Sequence, residues 1–229
     1  MSTSRARATS LRTDAERNRV RILAAAREAF AEHGLQVSMN DVARRADVGV
    51  ATLYRRFPTR EDLITAVFAD RMTAYADAVG RALAEPDPWH GFCSYVETVC
   101  AMQAADRGFT HVLTLTFPSA KEFEAERDRG YHAFVQLADR AMNAGRLRAD
   151  FVAEDLVMLL MANAGVVSAT GDAAPTTWER FAAYMIQAFR AEHAEPLPAA
   201  PTPKAMYRAL LRFSPGQTSH GLRCQAAVC

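Results

Sequence analysis

The stretch from Val48 to Arg60, VGVATLYRRFPTR, combines arginines with small and apolar side chains at helical spacing. On a helix that advances about 100° per residue, Val50, Leu53 and Phe57 fall on one side and are expected to pack inward. The opposite side, with Tyr54 at its edge, carries Ala51, Thr52, Arg55 and Arg56. Arginine guanidinium groups and small methyl groups are the side-chain types that match base-pair edges in a DNA major groove.

The side chains of this outward face are suited to particular contacts with bases and phosphates. An arginine can donate two hydrogen bonds to guanine O6 and N7, and the methyl group of Thr52 or Ala51 can contact a thymine methyl. Hydroxyl and guanidinium groups beside such a face suit phosphate oxygens. The predicted phosphate contacts are Tyr54, Arg60, Arg44 and Arg45. The alternative is an ordinary helical pair with a solvated basic face.

Two short helices would position these side chains. Ser38 and Asp41 form a capping pattern that predicts a first helix, which a tight turn at Asp47–Gly49 should end. A second helix is predicted from Val50 to Phe57, and Pro58 cannot continue it. This order of elements is the outline of a helix-turn-helix, whose second helix enters the major groove.

The charge of the chain is divided unevenly along its length. Residues 1–60 contain twelve Lys or Arg and six Asp or Glu, a net charge of +6, although the whole chain carries only +1. The remaining residues are therefore acidic overall. A basic segment joined to an acidic body indicates a polyanionic partner for the first part only.

The whole sequence predicts an all-α fold, because apolar residues recur at helical spacing and no useful stretch alternates with period two. Residues 1–12 are expected to be a disordered basic arm, and Thr13 with Glu16 to start the first helix. The DNA-binding domain is assigned to 13–60 and a larger helical domain to 61–194. Residues 195–229 should comprise a proline-rich linker, one possible extra helix (KAMYRALLRF) and a flexible tail.

The segment VSMNDVARRADVGVATLYRRFPTREDLITAVF, residues 37–68, resembles the signature of the TetR family of bacterial transcriptional regulators. The match runs through Val42 and Ala43, the turn before Val48, Thr52-Leu53-Tyr54, Phe57, Arg60 and Leu63. The resemblance implies a homodimer, which is expected to bind a palindromic operator. It also implies a divergent C-terminal domain with the dimer interface and an effector pocket. A cytoplasmic location is expected because the N-terminus has no apolar run of signal-peptide character.

Three positions depart from the family pattern. Gly49 stands where serine usually caps the recognition helix, and glycine offers no side-chain oxygen. Arg60 replaces the usual lysine, and Arg56 occupies a position often held by histidine. These differences leave DNA binding as the expectation, but the operator sequence does not follow from the family.

The dimer surface is expected in 153–170 and 176–193. A stripe at helical spacing marks the second segment: Trp178, Phe181, Met185, Ile186 and Phe189. The first segment is apolar nearly all round, as buried helices are. The alternative is that both helices belong only to the core of one subunit.

The effector pocket is expected in the aromatic region between 89 and 142, with one contribution from the following helix. Pockets are mostly apolar with a few polar groups. The candidate residues are Trp89, Phe92, Tyr95, Val96, Cys100, Gln103, Phe109, His111, Phe117, Phe134 and Asn163. Such a pattern also fits plain core, and it is the family resemblance that favours a pocket. The expected ligand is apolar or aromatic.

The resulting functional prediction is a homodimeric repressor that a small effector releases from its operator. One alternative is a DNA-binding regulator without an effector, whose body dimerises or docks a protein. An enzyme is the other alternative, although no nucleophile motif, Gly-rich phosphate loop or zinc-ligand spacing occurs. No cofactor, metal or membrane contact is expected; the apolar run 156–167 is too short for a span. His220, Cys224 and Cys229 match no known metal-binding pattern.

Overall fold

A computed structural model describes residues 2–113, 115–192 and 194–213, and the chain is all-α as predicted. The described residues form ten helices and no strand, with one isolated antiparallel bridge between Leu147 and Arg190. The helices are α1 Ser2–His33, α2 Met39–Arg45, α3 Val50–Arg56, α4 Arg60–Leu83, α5 Pro88–Ala105, α6 Arg107–Leu113, α7 Lys121–Asn143, α8 Ala153–Thr170, α9 Thr177–Ala188 and α10 Pro203–Phe213.

The start of α1 differs from the expectation. The helix begins at Ser2, so residues 2–12 are helical rather than a disordered arm, and Thr13 does not start the helix. Residues 2–12 contain no glycine or proline, and their arginines, alanines and leucine have high helix propensity. The prediction of disorder relied on the absence of an apolar stripe in the sequence. That absence did not bear on the backbone conformation.

The chain divides into two compact units, one up to Ala69 and the other from Asp70 onward. The first unit contains α1, α2, α3 and the beginning of α4. Its core includes Ile22, Ala26, Phe30, Val42, Ala43, Leu53, Phe57, Leu63, Ile64 and Phe68, all buried. The rings of Phe30 and Phe68 stack at 6.1 Å between centroids. Gly34, with φ +73°, allows the chain to leave α1 in a conformation that other residues rarely adopt.

The second unit is organised around α5, which packs against α6, α7, α8 and α9. The ring of Phe92 lies at its centre, 5.4 Å from Phe151, 6.0 Å from Phe134 and 6.2 Å from Phe189. Gly91 is required by close approach, because a Cβ at this position would lie 2.4 Å from the carbonyl oxygen of Ala82. The sequence therefore lets α5 approach the end of α4 closely, and edge-to-face aromatic contacts fill the interior.

The predicted segment 153–170 coincides with α8, the segment 176–193 overlaps α9, and the proposed extra helix is α10. By length and composition, α8 could cross a membrane, although the apolar run within it was expected to be too short. One third of the residues of α8 are buried, and α8 packs against other helices of the unit. The expected flexible tail, residues 214–229, lies outside the described residues.

Candidate nucleic-acid interface

The first short helix of the pair, α2, begins as its sequence predicted. The Ser38 hydroxyl accepts a hydrogen bond from the Asp41 amide at 3.1 Å and donates one to the Asp41 carboxylate at 2.6 Å. The bond from Ser38 lowers the pKa of the Asp41 carboxyl from its ordinary value. This cap satisfies an amide that the helix itself leaves free, and it fixes where α2 starts.

The turn between α2 and α3 is held from α1. Asp47 has φ +50°, a left-handed conformation that aspartate tolerates better than most residues. The Arg21 guanidinium donates to the Asp47 carbonyl at 2.8 Å and to its carboxylate at 2.7 Å. The turn is therefore tied to the long helix, which positions the start of α3.

The inward face of α3 is shorter than the helical wheel predicted. Leu53 and Phe57 are buried, and they anchor the helix on the core of the first unit. Val50 was expected to pack inward, but it is 40% exposed. It is the first residue of α3, at the end of the predicted stripe. Gly49 precedes it as an N-cap without a side-chain hydrogen bond.

The outward face of α3 is accessible as the sequence indicated. Ala51, Arg55 and Arg56 are exposed, Tyr54 is 45% exposed, and Thr52 is half-buried. These side chains lie on the side of α3 opposite its buried anchor. The geometry presents two guanidinium groups, a hydroxyl and small methyl groups side by side to solvent.

The other predicted contact residues surround this face, and they are already engaged within the unit. Arg44 donates to the Asp41 carboxylate at 2.6 Å, and Arg45 pairs with Glu32 at 2.7 Å. This second pair holds the pKa of Glu32 below its ordinary value. Arg60 donates to the Gln36 amide oxygen at 3.1 Å. Exposed pairs of this kind contribute little stability, so a phosphate can replace the partner at low cost.

Two residues of α1 that the sequence did not single out also face this region. Asn18 and Arg19 line a cleft of about 250 Å³ together with Thr52, Arg55 and Arg56 of α3. Their helical spacing with Ile22 was visible in the sequence. Their proximity to α3 depends on how the two helices pack, which a helical wheel does not give.

The second candidate region is the interior of the second unit. All but one of the predicted pocket residues are buried: Trp89, Phe92, Tyr95, Val96, Cys100, Gln103, Phe109, Phe117, Phe134 and Asn163. His111, which was expected among them, is exposed. It differs because the seven-residue α6 turns its other side, with Phe109 and Val112, to the core.

The buried polar groups of this region are only partly satisfied. The Asn163 side-chain amide donates to Gln103 Oε1 at 2.8 Å, and Gln103 donates to the carbonyl of Leu160 at 3.2 Å. Among the described residues, Oδ1 of Asn163 has no hydrogen-bond partner, and the Tyr95 hydroxyl lies near that of Tyr75 without the geometry of a hydrogen bond. Burial raises the pKa of the Tyr95 hydroxyl well above its ordinary value, so the group is a neutral donor.

The part of the chain that the structure describes contains no group of three or more His, Cys, Asp or Glu arranged to hold a metal ion. His220, Cys224 and Cys229 lie outside the described residues. Burial raises the pKa of the Cys100 thiol to about 12 and that of Cys93 to about 11. Both thiols are therefore protonated near neutral pH, and neither is a ready nucleophile.

Known proteins match the sequence of the first unit, and solved structures match the fold over most of the chain. A sequence profile described as "Bacterial regulatory proteins, tetR family" matches residues 22–67. An HTH-type transcriptional regulator of Staphylococcus aureus strain USA300 is 43% identical over 54 residues, which are 23% of this chain. The match spans only 29% of that relative's length.

Solved structures extend the likeness along the chain. A TetR transcription regulatory protein from Mycobacterium vanbaalenii is 31% identical, over 79% of this chain and 99% of its own, with a TM-score of 0.42. A bacterial regulatory protein of the tetR family from Rhodococcus RHA1 is 18% identical and shares the fold with a TM-score of 0.59, over 74% of this chain and 95% of its own. The chain belongs to the TetR family of transcriptional regulators, and it is a DNA-binding protein with an N-terminal helix-turn-helix.

Proposed function

We propose that the chain is a homodimeric repressor whose α3 reads an operator sequence in the major groove. The observation that carries this proposal is the exposed face of α3, where Ala51, Tyr54, Arg55 and Arg56 stand beside the half-buried Thr52. Leu53 and Phe57 hold the helix from below. A recognition helix needs both features, a rigid anchor and an uncovered row of donors and methyl groups.

The roles of the individual residues follow from their surroundings. Arg55 has no hydrogen bond or ion pair among the described residues, so its guanidinium can donate both N–H groups to a guanine. Arg56 has a distant partner in Glu16 at 3.5 Å and is available for a second base or a phosphate. Ala51 and Thr52 contact thymine methyl groups. Tyr54, Arg60, Arg44 and Arg45 hold phosphates on either side of the groove.

Dimerisation is proposed through α8 and α9. These helices leave apolar side chains on the surface: Met158 is 41% exposed, and Tyr184 is 51% exposed. Trp178, Phe181 and Met185 are half-buried on the same side of the stripe predicted from the sequence. An apolar surface of this kind is typical of a subunit interface. Two-fold symmetry would place two recognition helices in successive major grooves about 34 Å apart, or a multiple of it.

Effector control is proposed through the interior of the second unit. A buried polar atom without a partner costs about 1–3 kcal/mol, and such atoms call for an explanation. The Tyr95 hydroxyl can donate to a ligand, and Asn163 Oδ1 can accept from one, amid the aromatic side chains of α5 and α7. The ligand that fits is apolar or aromatic, with one acceptor and one donor.

Release from DNA requires the ligand to prefer the state that does not bind the operator. The helix α4 begins in the first unit and ends in the second, so it is the element that we propose responds to the ligand. Equal ligand affinity for the free protein and for its operator complex would rule out this mechanism.

DNase footprinting on DNA flanking the protein's own gene tests the proposal. The expected result is a protected, roughly palindromic site with two half-sites about one helical turn apart or a multiple of it. A thermal-shift screen with lipophilic and aromatic compounds then tests the effector. Loss of a compound's stabilisation in Tyr95→Phe, but not in the control Tyr207→Phe on α10, where Tyr207 is 49% exposed, would support the assigned site. Uniform failure to stabilise the protein would favour a regulator without an effector.

A further inference from the structure

The arginines of the first unit differ in whether they have a partner. From Arg17 to Arg60, most guanidinium groups contact a carboxylate, a side-chain amide or a backbone carbonyl: those of Arg17, Arg21, Arg27, Arg44, Arg45, Arg56 and Arg60. Within the described residues, Arg19 and Arg55 make no hydrogen bond or ion pair. Both of these unpaired groups line the same cleft.

This cleft lies between α1 and α3. Ala15, Asn18, Arg19 and Ile22 share one face of α1, and Thr52, Arg55 and Arg56 come from α3. Ile22 is fully buried and forms the floor, while Asn18, Arg19 and Thr52 are half-buried at the sides. The volume of about 250 Å³ compares with roughly 30 Å³ for one water molecule in the liquid, so the cleft admits a group much larger than water.

The lining of the cleft favours an anion. Its side-chain donors are three guanidinium groups, one amide and one hydroxyl, and no acidic residue lines it. Guanidinium groups that share one cleft repel each other, and an anion beside Arg19 lowers that cost. A phosphate presents several acceptor oxygens, which match this set of donors.

We infer that the cleft between α1 and α3 seats a backbone phosphate of the operator, with Arg19 and Asn18 as its donors on α1. The inference rests on the proposed placement of α3 in the major groove, because Arg55 then faces a base while the cleft beside it meets the strand. A contact from α1 fixes the register of α3 along the groove, as phosphate contacts generally do. The long helix α1 is thus part of the DNA-binding surface, in addition to supporting the α2–α3 pair.

The test compares Arg19→Gln with Arg17→Gln. Both variants remove one charge from α1, but Arg17 lies outside the cleft, exposed and paired with Asp14 at 3.3 Å. Binding of the operator and of a scrambled duplex is measured by fluorescence anisotropy between about 50 and 200 mM salt. We expect Arg19→Gln to weaken both duplexes about equally and to lower the salt slope by about one, and Arg17→Gln to change the slope much less.

Ethylation interference on the operator locates the contact. In the wild type, one ethylated phosphate beside each half-site should block binding, and that interference should disappear in Arg19→Gln. Equal salt slopes for the two variants, or an unchanged ethylation pattern, would overturn the inference. One further result would overturn it. Millimolar inorganic phosphate would stabilise the wild type, but not Arg19→Gln, against thermal unfolding, while both proteins bound the operator equally. Circular dichroism melting of both variants confirms that each is folded.

The outcomes separate this inference from the proposed function. If the wild type bound every duplex alike, sequence-specific regulation would fail, yet the salt-slope comparison on any duplex would still decide the phosphate site. If the wild type bound its operator specifically and Arg19→Gln behaved as Arg17→Gln, only the phosphate site would fail.

Discussion

At the scale of single residues, Arg55 is the side chain on which base recognition should depend most. It is exposed on α3 and has no partner among the described residues, so no internal bond must break before it binds. We expect Arg55→Ala to cost about 1–3 kcal/mol of operator affinity and to reduce discrimination against operators changed at one guanine. Anisotropy titrations on matched and mutated operators measure both effects. Unchanged discrimination would show that another residue reads that base.

Arg60 should behave differently from Arg55. It begins α4, outside the exposed face of α3, and its guanidinium donates to Gln36 at 3.1 Å. We expect Arg60→Ala to weaken operator and scrambled DNA alike and to lower the salt slope by about one. Gln36→Ala serves as the control, because it removes the internal partner and leaves the charge. A selective loss for the operator in Arg60→Ala would contradict the assignment to phosphate.

At this scale the sequence predicted correctly those features that depend on a residue's position within its own helix. Leu53 and Phe57 pack inward as the helical wheel requires, and Ser38 caps α2 with the predicted bond to Asp41. The predictions were wrong for side chains whose exposure depends on residues of other helices. Val50 is 40% exposed where burial was predicted, and His111 is exposed on a seven-residue helix. Asn18 and Arg19 were overlooked, because their position beside α3 is a property of helix packing.

At the scale of elements, one ion pair ties the segment after α9 to the loop between α7 and α8. Arg148 donates to Asp150 at 2.5 and 3.0 Å and also reaches the carbonyl of Glu195, while the Asp150 carboxylate accepts from the Leu197 amide at 3.2 Å. These contacts anchor the start of the segment that the sequence analysis assigned as a proline-rich linker. Asp150 therefore joins two parts of the chain that are far apart in sequence.

The pH dependence of this pair has a defined sign. Arg148 lowers the pKa of Asp150 from 3.8 to about 2, so the folded protein binds this proton less readily than the unfolded chain does. The contribution to stability is fully present above about pH 4, and it is lost as the pH falls through 2. We expect Asp150→Asn to be less stable than the wild type at pH 6, with the difference shrinking between pH 4 and 2. Urea unfolding at several pH values measures it, and a difference independent of pH would contradict this account.

At the scale of the whole molecule, the order of the helices could be predicted from the sequence. The contacts between helices within each unit could not. A capping pattern marked the start of α2 and a proline followed the end of α3, since such signals act within a few residues of sequence. The start of α1 at Ser2 was missed, because helix propensity needs no apolar stripe to act. The unsatisfied Tyr95 hydroxyl is likewise invisible in sequence, since it depends on residues from several helices.

Subunit association is the last property that the surface lets us predict. Tyr184 of α9 is 51% exposed, and the Arg180 guanidinium lies 5.0 Å from the centre of its ring. If α8 and α9 pair with a second copy, a carboxylate at this position would be taken out of water, at a cost of several kcal/mol that one ion pair with Arg180 does not offset. We expect Tyr184→Glu to raise the dimer dissociation constant by more than about tenfold, which corresponds to 1.4 kcal/mol.

A matched control exists on α10, where Tyr207 is 49% exposed and lies outside the proposed interface. Tyr207→Glu should leave the dissociation constant unchanged in analytical ultracentrifugation. Because one subunit supplies only one recognition helix, Tyr184→Glu should also reduce operator affinity at protein concentrations below its new dissociation constant, and higher concentration should restore it. If both variants remained dimeric at the lowest measurable concentration, the interface would have to lie away from α9. Operator binding would then rest on another face of the second unit.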